Sequence, residues 1–393
     1  MQFNNLIREY TYQNQDGHLN TVNWCFLPIG STQKEYHANL FMADQREQLI
    51  LRHLNEQLPG LAKKLGITII PGWACNLRCT HCVVIDKLIK PESPEPAVAD
   101  VKQMDSFIKG FMKAKDKDFL ELTFVGGEPL LYSQYIVDIL ELIKPDFGNV
   151  TTNLAGVLDE SKVTMLQKMD HILISLDGNQ EQHNKQRKPL YETLNVYADV
   201  INNLKILVKM GLRDKISVQA AMAEEEIRND EAINEFLYVL LKIGIKQEKI
   251  AIHTLHSTPR QPDLNDFQIK VSKNHISASP QLVTCCRHRD SALVIDREGQ
   301  VYTDYYSMTK LGSVNDLPQN IIDAATKDNS NLPVLNDPNC QDCDVLSFCW
   351  GGCTNLHNDY LNPSRNCAQG LLQENVRKSI TNQKYNKLIG KSK

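Results

Sequence analysis

The stretch GITIIPGWACNLRCTHC, residues 66–82, joins a short apolar run to a loop that holds three cysteines within eight positions. The run is rich in isoleucine and threonine, which favour a β-strand. Cys75, Cys79 and Cys82 are separated by three and then by two residues. A metal or iron–sulfur cluster usually takes four ligands, so this loop leaves one ligand unassigned.

The change from strand to helix recurs along the next part of the chain. Six apolar or β-branched runs predict strands at residues 66–73, 120–127, 149–153, 171–178, 215–222 and 249–255. Amphipathic patterns between them predict helices at residues 100–115, 135–144, 159–169, 194–211 and 229–244. Such alternation predicts an α/β fold with a parallel sheet, either a full or partial barrel or an open doubly wound sheet. In each case functional residues collect at the carboxyl ends of the strands.

Composition and charge restrict the class of protein. The chain has 393 residues, 42% of them hydrophobic, and a formal net charge of −4. That length allows one large domain with smaller ones appended. The acidic balance argues against a nucleic-acid partner, and no apolar run is long enough to span a membrane. Because the N-terminus lacks a secretory pattern, we expect a cytoplasmic protein.

The eleven cysteines are grouped rather than scattered. Cys25 stands alone, and Cys285 and Cys286 are adjacent. Five more lie at positions 340, 343, 349, 353 and 367. A disulfide scaffold would be small and secreted, so the grouping favours metal or cluster binding. A zinc site that takes a distant fourth ligand such as His81 is the alternative for the first loop, although its spacing is not typical of zinc.

Three further motifs follow the cysteine loop in chain order, each after a predicted strand. They are GGEPL (126–130), TTNLAG (151–156) and ISLDGNQEQHNKQR (174–187). Together with the loop they resemble the radical S-adenosylmethionine (radical SAM) superfamily, in which an aromatic residue more often stands at the position of His81. The resemblance covers about residues 67–255 and implies a partial (β/α)6 barrel of the TIM type.

By this resemblance, Cys75, Cys79 and Cys82 bind three irons of a [4Fe–4S] cluster, and the fourth iron is left open for S-adenosylmethionine. The missing ligand of the loop is then the cofactor. The implied reaction is reductive cleavage of S-adenosylmethionine to methionine and a 5′-deoxyadenosyl radical, with the electron supplied by a reductase such as flavodoxin or ferredoxin. The protein positions that radical against one C–H bond.

The resemblance also implies a set of S-adenosylmethionine contacts. They are Gly126, Gly127, Glu128, Pro129, Asn153, Ser175, Asp177 and Arg187. The two glycines let backbone approach a ligand closely. Glu128 either accepts from the ligand ammonium or braces its own loop, and Asn153 and Ser175 bond ribose hydroxyls. Arg187 pairs with the ligand carboxylate.

The C-terminal cysteines resemble the SPASM extension of radical SAM enzymes that modify peptides and proteins. Twelve residues separate Cys286 from Gly299, and four more lead to position 304, where the family pattern has cysteine and this chain has Asp304. The implied ligands of auxiliary cluster I are Cys286, Asp304 and Cys353, with Cys285 as an additional candidate. Those of auxiliary cluster II are Cys340, Cys343, Cys349 and Cys367.

The aspartate leaves three outcomes open for auxiliary cluster I. The cluster is ligated by Asp304, or it has a vacant iron that holds substrate, or it is absent. The alternative for the whole region is a zinc ribbon on Cys340, Cys343, Cys349 and Cys353.

We divide the chain into five segments. They are an N-terminal α+β region that would bind a leader peptide (1–66), the radical SAM barrel (67–256), a linker (257–284), the SPASM domain (285–367) and a basic helix or tail (368–393). The expected function is abstraction of hydrogen from a residue of a ribosomally made precursor peptide, installing a thioether or carbon–carbon crosslink or a related modification. The rivals are a formylglycine-forming enzyme of the sulfatase-maturating type and a non-catalytic iron–sulfur or zinc-binding protein.

Overall fold

The chain is described from a computed structural model. The structure describes residues 7–12, 15–20, 26–28, 64–192, 195–222, 226, 229–254, 292–305 and 308–330. The chain divides into two compact units, one made of residues 65–280 and 291–325, the other of residues 1–64, 281–290 and 326–393. The predicted linker, the C-terminal cysteines and the basic tail lie outside the described residues, so these domain boundaries stay predictions.

The described strands and helices are numbered in chain order. The strands are β1 (Ile7–Tyr12), β2 (Gln15–Asn20), β3 (Phe26–Pro28), β4 (Lys64–Ile70), β5 (Leu77–Cys79), β6 (Phe119–Phe124), β7 (Phe147–Thr152), β8 (His171–Ser175), β9 (Arg187–Pro189), β10 (Ile216–Met222), β11 (Ile250–Thr254), β12 (Ala292–Asp296), β13 (Gln300–Tyr302) and β14 (Lys310–Ser313). The helices are α1 (Val101–Ala114), α2 (Ser133–Ile143), α3 (Glu160–Lys168), α4 (Gln180–Gln186), α5 (Val196–Lys209), α6 (Asp230–Ile243) and α7 (Pro318–Ser330).

The main sheet has nine strands among the described residues, in the order β11-β10-β8-β7-β6-β4-β12-β13-β14. Six of these strands lie side by side in chain order: β4, β6, β7, β8, β10 and β11. The ladders that join β6, β7, β8, β10 and β11 are parallel. Helices connect them, as parallel strands require. The predicted α/β class and the six predicted strands are confirmed. On its other side β4 pairs in parallel with β12, and β13 and β14 follow antiparallel.

The helices form where an apolar stripe meets a capping residue. In α1, Asp100 accepts a hydrogen bond from Lys102 N at 2.9 Å and so satisfies one of the free amides at the start of the helix. Met104, Phe107, Ile108 and Phe111 are buried on one stripe, whereas Val101, the first residue of the helix, is half-buried.

Alternation along the strands separates two faces of the sheet. In β10, Ile216, Val218, Ala220 and Met222 are buried, and the residues between them are partly exposed. The buried set packs into the continuous apolar core that also contains the helical stripes. This burial is the main force that holds the sheet to its helices. The carboxyl ends of the strands are therefore rigidly placed, and the sequence motifs follow those ends.

Several elements differ from the sequence-based expectations. Strand β4 spans Lys64–Ile70, whereas the strand predicted for this part of the chain covered residues 66–73. Helix α4 was not predicted, because its sequence QEQHNKQ has no apolar stripe. Before β4, the described strands β1, β2 and β3 form a sheet in which β2 pairs antiparallel with both of the others. No described helix is long and apolar enough to cross a membrane.

Candidate cofactor and cluster site

The cysteine loop follows β4 and carries three free thiols, Cys75, Cys79 and Cys82. Burial raises the pKa of the Cys75 thiol to about 12 and that of Cys79 to about 11, because a thiolate loses its hydration there. The pKa of Cys82 is also raised by burial. Thiolates in such surroundings need a cationic partner, and iron supplies it, so the donor set fits an iron–sulfur cluster.

A short antiparallel ladder fastens this loop to the segment after α4. Strand β5 pairs with β9, and Cys79 is the partner of Arg187 in that ladder. Beyond the ladder, Thr80 N donates to Gln186 O at 2.9 Å, and Leu190 N donates to Asn76 O at 2.9 Å. The cysteine loop is therefore held by the last residues of the motif at 174–187 and by the residues just after it.

The GGEP motif lies against the chain between β4 and Cys75. Gly127 N donates to Gly72 O at 3.1 Å, and Glu128 N donates to Ala74 O at 2.8 Å. A Cβ atom on Gly127 would lie 2.1 Å from Ala74 O, and one on Gly126, whose φ is +143°, would lie 2.6 Å from Gly72 O. Both positions require glycine because the backbone of residues 72–74 approaches them too closely for a side chain.

The Glu128 carboxylate is 2% exposed and accepts three hydrogen bonds from its own surroundings. The donors are Thr152 Oγ1 at 2.6 Å, Asn153 N at 2.8 Å and Leu130 N at 3.0 Å. Burial raises the pKa of this carboxyl, and the three hydrogen bonds act in the opposite direction. These contacts join the ends of β6 and β7 and correspond to the bracing role. The buried Pro129 begins a short 3₁₀ helix, Pro129–Tyr132.

Asn153 is bound to the cysteine loop. Its Nδ2 donates to Asn76 Oδ1 at 2.9 Å, and its Oδ1 accepts from Ala155 N at 2.8 Å. Asn76, which the sequence reasoning missed, also donates to Ala155 O at 3.1 Å. The feature of the sequence that could have indicated Asn76 is its position between the first two cysteines of the loop. Ser175, at the end of β8, is half-exposed, and its hydroxyl makes no hydrogen bond with any described residue.

Asp177 and Arg187 form a buried ion pair. Arg187 Nε lies 2.6 Å from Asp177 Oδ2, and Nη2 lies 3.1 Å from Oδ1, which also accepts from Ala221 N at 2.9 Å. Burial favours the neutral acid, but Arg187 outweighs it and lowers the pKa of Asp177. The Arg187 guanidinium, which is predicted to bind a ligand carboxylate, thus binds the carboxylate of Asp177 through two of its nitrogens. Its third nitrogen, Nη1, lies 3.9 Å from Cys79 Sγ.

Two histidines flank this ion pair. His81 Nε2 lies 3.6 Å from Asp177 Oδ2, and its buried Nδ1 has no hydrogen-bond partner among the described residues. His183 is fully buried, and its Nδ1 accepts from Asp177 N at 3.0 Å. Burial lowers the pKa of His183 to about 3, so this ring is neutral at physiological pH.

A second polar network, also missed by the sequence reasoning, holds the residues just before Cys75. Tyr132 Oη accepts from Ala74 N at 2.6 Å and donates to Glu95 Oε1 at 2.6 Å, which also accepts from Trp73 N at 3.1 Å. Arg297 Nη1 lies 3.6 Å from Glu95 Oε2. Glu95 and Tyr132 thus fix two consecutive amides next to the first cysteine. Their residue types stand in no recognisable motif.

A model of the Radical SAM superfamily matches residues 69–237. This part of the chain is a radical SAM domain. The match begins in β4 and ends in α6, and it contains the cysteine loop and the three other motifs. The predicted superfamily is confirmed.

Relatives and solved structures extend the comparison beyond this radical SAM domain. The 7-carboxy-7-deazaguanine synthase of Methanocaldococcus jannaschii is 20% identical over 182 residues, or 42% of this chain and 74% of that protein. Hexahistidine-tagged anSMEcpe with bound AdoMet has a TM-score of 0.59 at 17% identity, covering 82% of this chain and 99% of that one. Streptococcus suis SuiB bound to the precursor peptide SuiA has a TM-score of 0.56 at 15% identity, covering 89% and 94%. At these identities the two structures show a shared fold.

Of the predicted auxiliary-cluster ligands, the structure describes Asp304. It follows β13 and is 3% exposed, and its Oδ2 accepts from Thr303 Oγ1 at 3.0 Å. The next residue, Tyr305, donates to Gly126 O at 3.1 Å, and its ring lies 6.2 Å from that of Trp73. Asp304 is therefore next to a residue that contacts the GGEP loop. The other auxiliary ligands lie outside the described residues: Cys285, Cys286, Cys340, Cys343, Cys349, Cys353 and Cys367.

Within the described ranges, no three His, Cys, Asp or Glu side chains are arranged to hold a single metal ion. A four-iron cluster makes a different demand, because each thiolate binds a separate iron of the cube.

Proposed function

We propose that the protein is a radical SAM enzyme that modifies a peptide. The observation that carries this proposal is the cysteine loop. Three free, largely buried thiols follow the first strand of a radical SAM domain, and the loop pairs with β9 at the end of the motif at 174–187. The peptide class is supported by the fold shared with SuiB, solved with its precursor peptide SuiA, over 89% of this chain.

Cys75, Cys79 and Cys82 would hold the [4Fe–4S] cluster, and S-adenosylmethionine would complete it. When bound, these groups supply a one-electron cleavage of a carbon–sulfur bond and a carbon radical able to take a hydrogen atom from substrate. The chain's own residues prepare the site. Glu128 braces the ends of β6 and β7. Ser175, whose hydroxyl has no partner among the described residues, would bond a ribose hydroxyl.

The backbone between β4 and Cys75 completes this preparation. Two of its amides donate to Tyr132 and Glu95, and two of its carbonyls accept from the GGEP loop. A loop held from both sides has little freedom, which keeps the first cysteine in one position. We infer that the loop is preformed before cofactor binds.

The reaction we favour is formation of a thioether or carbon–carbon crosslink in a ribosomally made precursor peptide. Closing such a bond removes two hydrogens from one peptide: one leaves as an atom taken by the radical, and the other leaves as a proton and an electron. The auxiliary clusters would accept that electron. Residues 1–66 would bind the leader of the precursor, and a flavodoxin or ferredoxin would supply the reducing electron.

The test is anaerobic reconstitution of the whole chain and of a Cys75→Ala/Cys79→Ala/Cys82→Ala variant. Each is reduced with dithionite in the presence of S-adenosylmethionine. We expect 5′-deoxyadenosine from the wild type and none from the variant, and a loss of about four irons per chain in the variant. A total of about twelve irons in the wild type indicates both auxiliary clusters, and about eight indicates one. Zinc in place of iron would refute the proposal.

A second candidate is formation of formylglycine, as in enzymes of the sulfatase-maturating type. The TM-score to anSMEcpe, 0.59, is close to that to SuiB, 0.56, so fold does not separate the two activities. The mass of the product does. A crosslink lowers the mass of one peptide by two hydrogens, whereas formylglycine made from cysteine also loses the sulfur.

A further inference from the structure

Arg187 is placed beside the cluster loop by backbone hydrogen bonds. It is the first residue of β9 and the ladder partner of Cys79 in β5. The bonds from Thr80 N to Gln186 O and from Leu190 N to Asn76 O, both 2.9 Å, extend the pairing on each side. The arginine therefore lies at Cys79 before any ligand is bound.

The side chain of Arg187 is locked in one orientation. Asp177 accepts from Nε and Nη2, so two of the three guanidinium nitrogens are engaged in a fork. Asp177 is itself fixed, because it is fully buried and Oδ1 also accepts from Ala221 N. The remaining nitrogen, Nη1, is directed at Cys79 Sγ at 3.9 Å. Arg187 is 12% exposed, so solvent screens this contact weakly.

We propose that Arg187 is a positioning residue for the cluster, donating to the Cys79 thiolate and placing there a fixed positive charge that favours the reduced state. The inference rests on the proposed function, because it needs a cluster on the loop. Hydrogen bonds to cluster sulfurs and charges around the site set the potential of iron–sulfur centres. Reduction adds one electron, which an external reductase or titrant supplies, and a nearby cation stabilises the added negative charge.

The negative charge of Asp177 does not cancel this effect at Cys79. The guanidinium lies between the carboxylate and the sulfur in the chain of contacts, and it is the group that touches the thiol. Because the positive group is the nearer of the two, the net electrostatic potential of the pair at the sulfur is positive.

The experiment is a potentiometric titration of the reconstituted whole chain, followed by electron paramagnetic resonance, without S-adenosylmethionine. The signal of the loop cluster is the part absent from the triple cysteine variant. In Arg187→Gln we expect the midpoint of this signal to become more negative. At a fixed potential the ratio of reduced to oxidised cluster should fall on the order of tenfold, which is about 59 mV for one electron. Arg187→Lys keeps the charge and should recover part of the shift.

Arg213→Gln is the matched control, since it removes one exposed arginine charge at the opposite end of β10 and should leave the midpoint unchanged. An unchanged midpoint in Arg187→Gln with full iron content overturns the inference. Iron lost from Arg187→Gln but retained in Arg187→Lys supports it, whereas iron lost from both variants with a lowered melting temperature shows a merely structural residue and overturns it. A wild type that holds no iron on the loop would instead refute the proposed function.

Discussion

Replacing Gly127 by alanine tests how closely the GGEP loop packs on the chain before Cys75. The new Cβ would lie 2.1 Å from Ala74 O, 2.6 Å from Ala74 C and 2.7 Å from Trp73 C, all of them backbone atoms that cannot rotate away. Forced overpacking costs about 1–3 kcal/mol. Separation of the two loops would also break the hydrogen bond from Glu128 N to Ala74 O, worth about 1 kcal/mol.

We therefore expect Gly127→Ala to lower the free energy of unfolding by about 2–4 kcal/mol, or the melting temperature by roughly 5–15 °C. The assay is thermal unfolding of the cluster-free protein, with binding of S-adenosylmethionine measured after reconstitution. Gly211→Ala is the control, because its Cβ would meet nothing within 4 Å and only the φ of +83° opposes it. That strain costs about 1 kcal/mol. Equal effects of the two substitutions, or none at Gly127, would refute the close packing.

Two further predictions concern the polar groups around the site. Tyr132→Phe leaves Ala74 N without its acceptor and removes one of the donors to Glu95, so it should lower the free energy of unfolding by about 1–3 kcal/mol and weaken iron retention. Tyr135→Phe should be nearly neutral, because the buried Tyr135 hydroxyl has no partner among the described residues. A neutral Tyr132→Phe would contradict the network. The pKa of His183 is lowered to about 3 in the folded protein, so the free energy of unfolding is highest above pH 6.5 and falls by about 1.4 kcal/mol per pH unit below that pH. His183→Gln should remove this decline between pH 6.5 and 5, as measured by thermal unfolding. Parallel pH curves for the two proteins would count against the prediction.

Most of the strands and helices of the main sheet could be predicted from the amino-acid sequence. The six predicted strands of the main sheet are short runs of apolar and β-branched residues, and the amphipathic pattern predicted for α1 corresponds to four buried residues on one stripe. Helix α4 was not predicted because its sequence, QEQHNKQ, has no apolar stripe. The helix begins after Asn179, whose side chain accepts from Gln182 N while the Gln182 side chain accepts from Asn179 N. Strand β12 could not be placed from the sequence, because its pairing with β4 joins segments more than 200 residues apart.

The sequence by itself determined the alternation of strands and helices, the superfamily and the three thiols of the first loop, because these depend on residue type and short spacing. Only the tertiary structure decided what the motif residues touch. It showed that Gly126 and Gly127 pack closely on the backbone before Cys75 and that Arg187 contacts Asp177 and Cys79, while the contacts of these residues with S-adenosylmethionine stay predictions. It also brought Glu95, Tyr132 and Arg297 together behind Cys75. Such contacts join residues that are far apart in the sequence, and a local sequence pattern does not show which buried donor pairs with which acceptor.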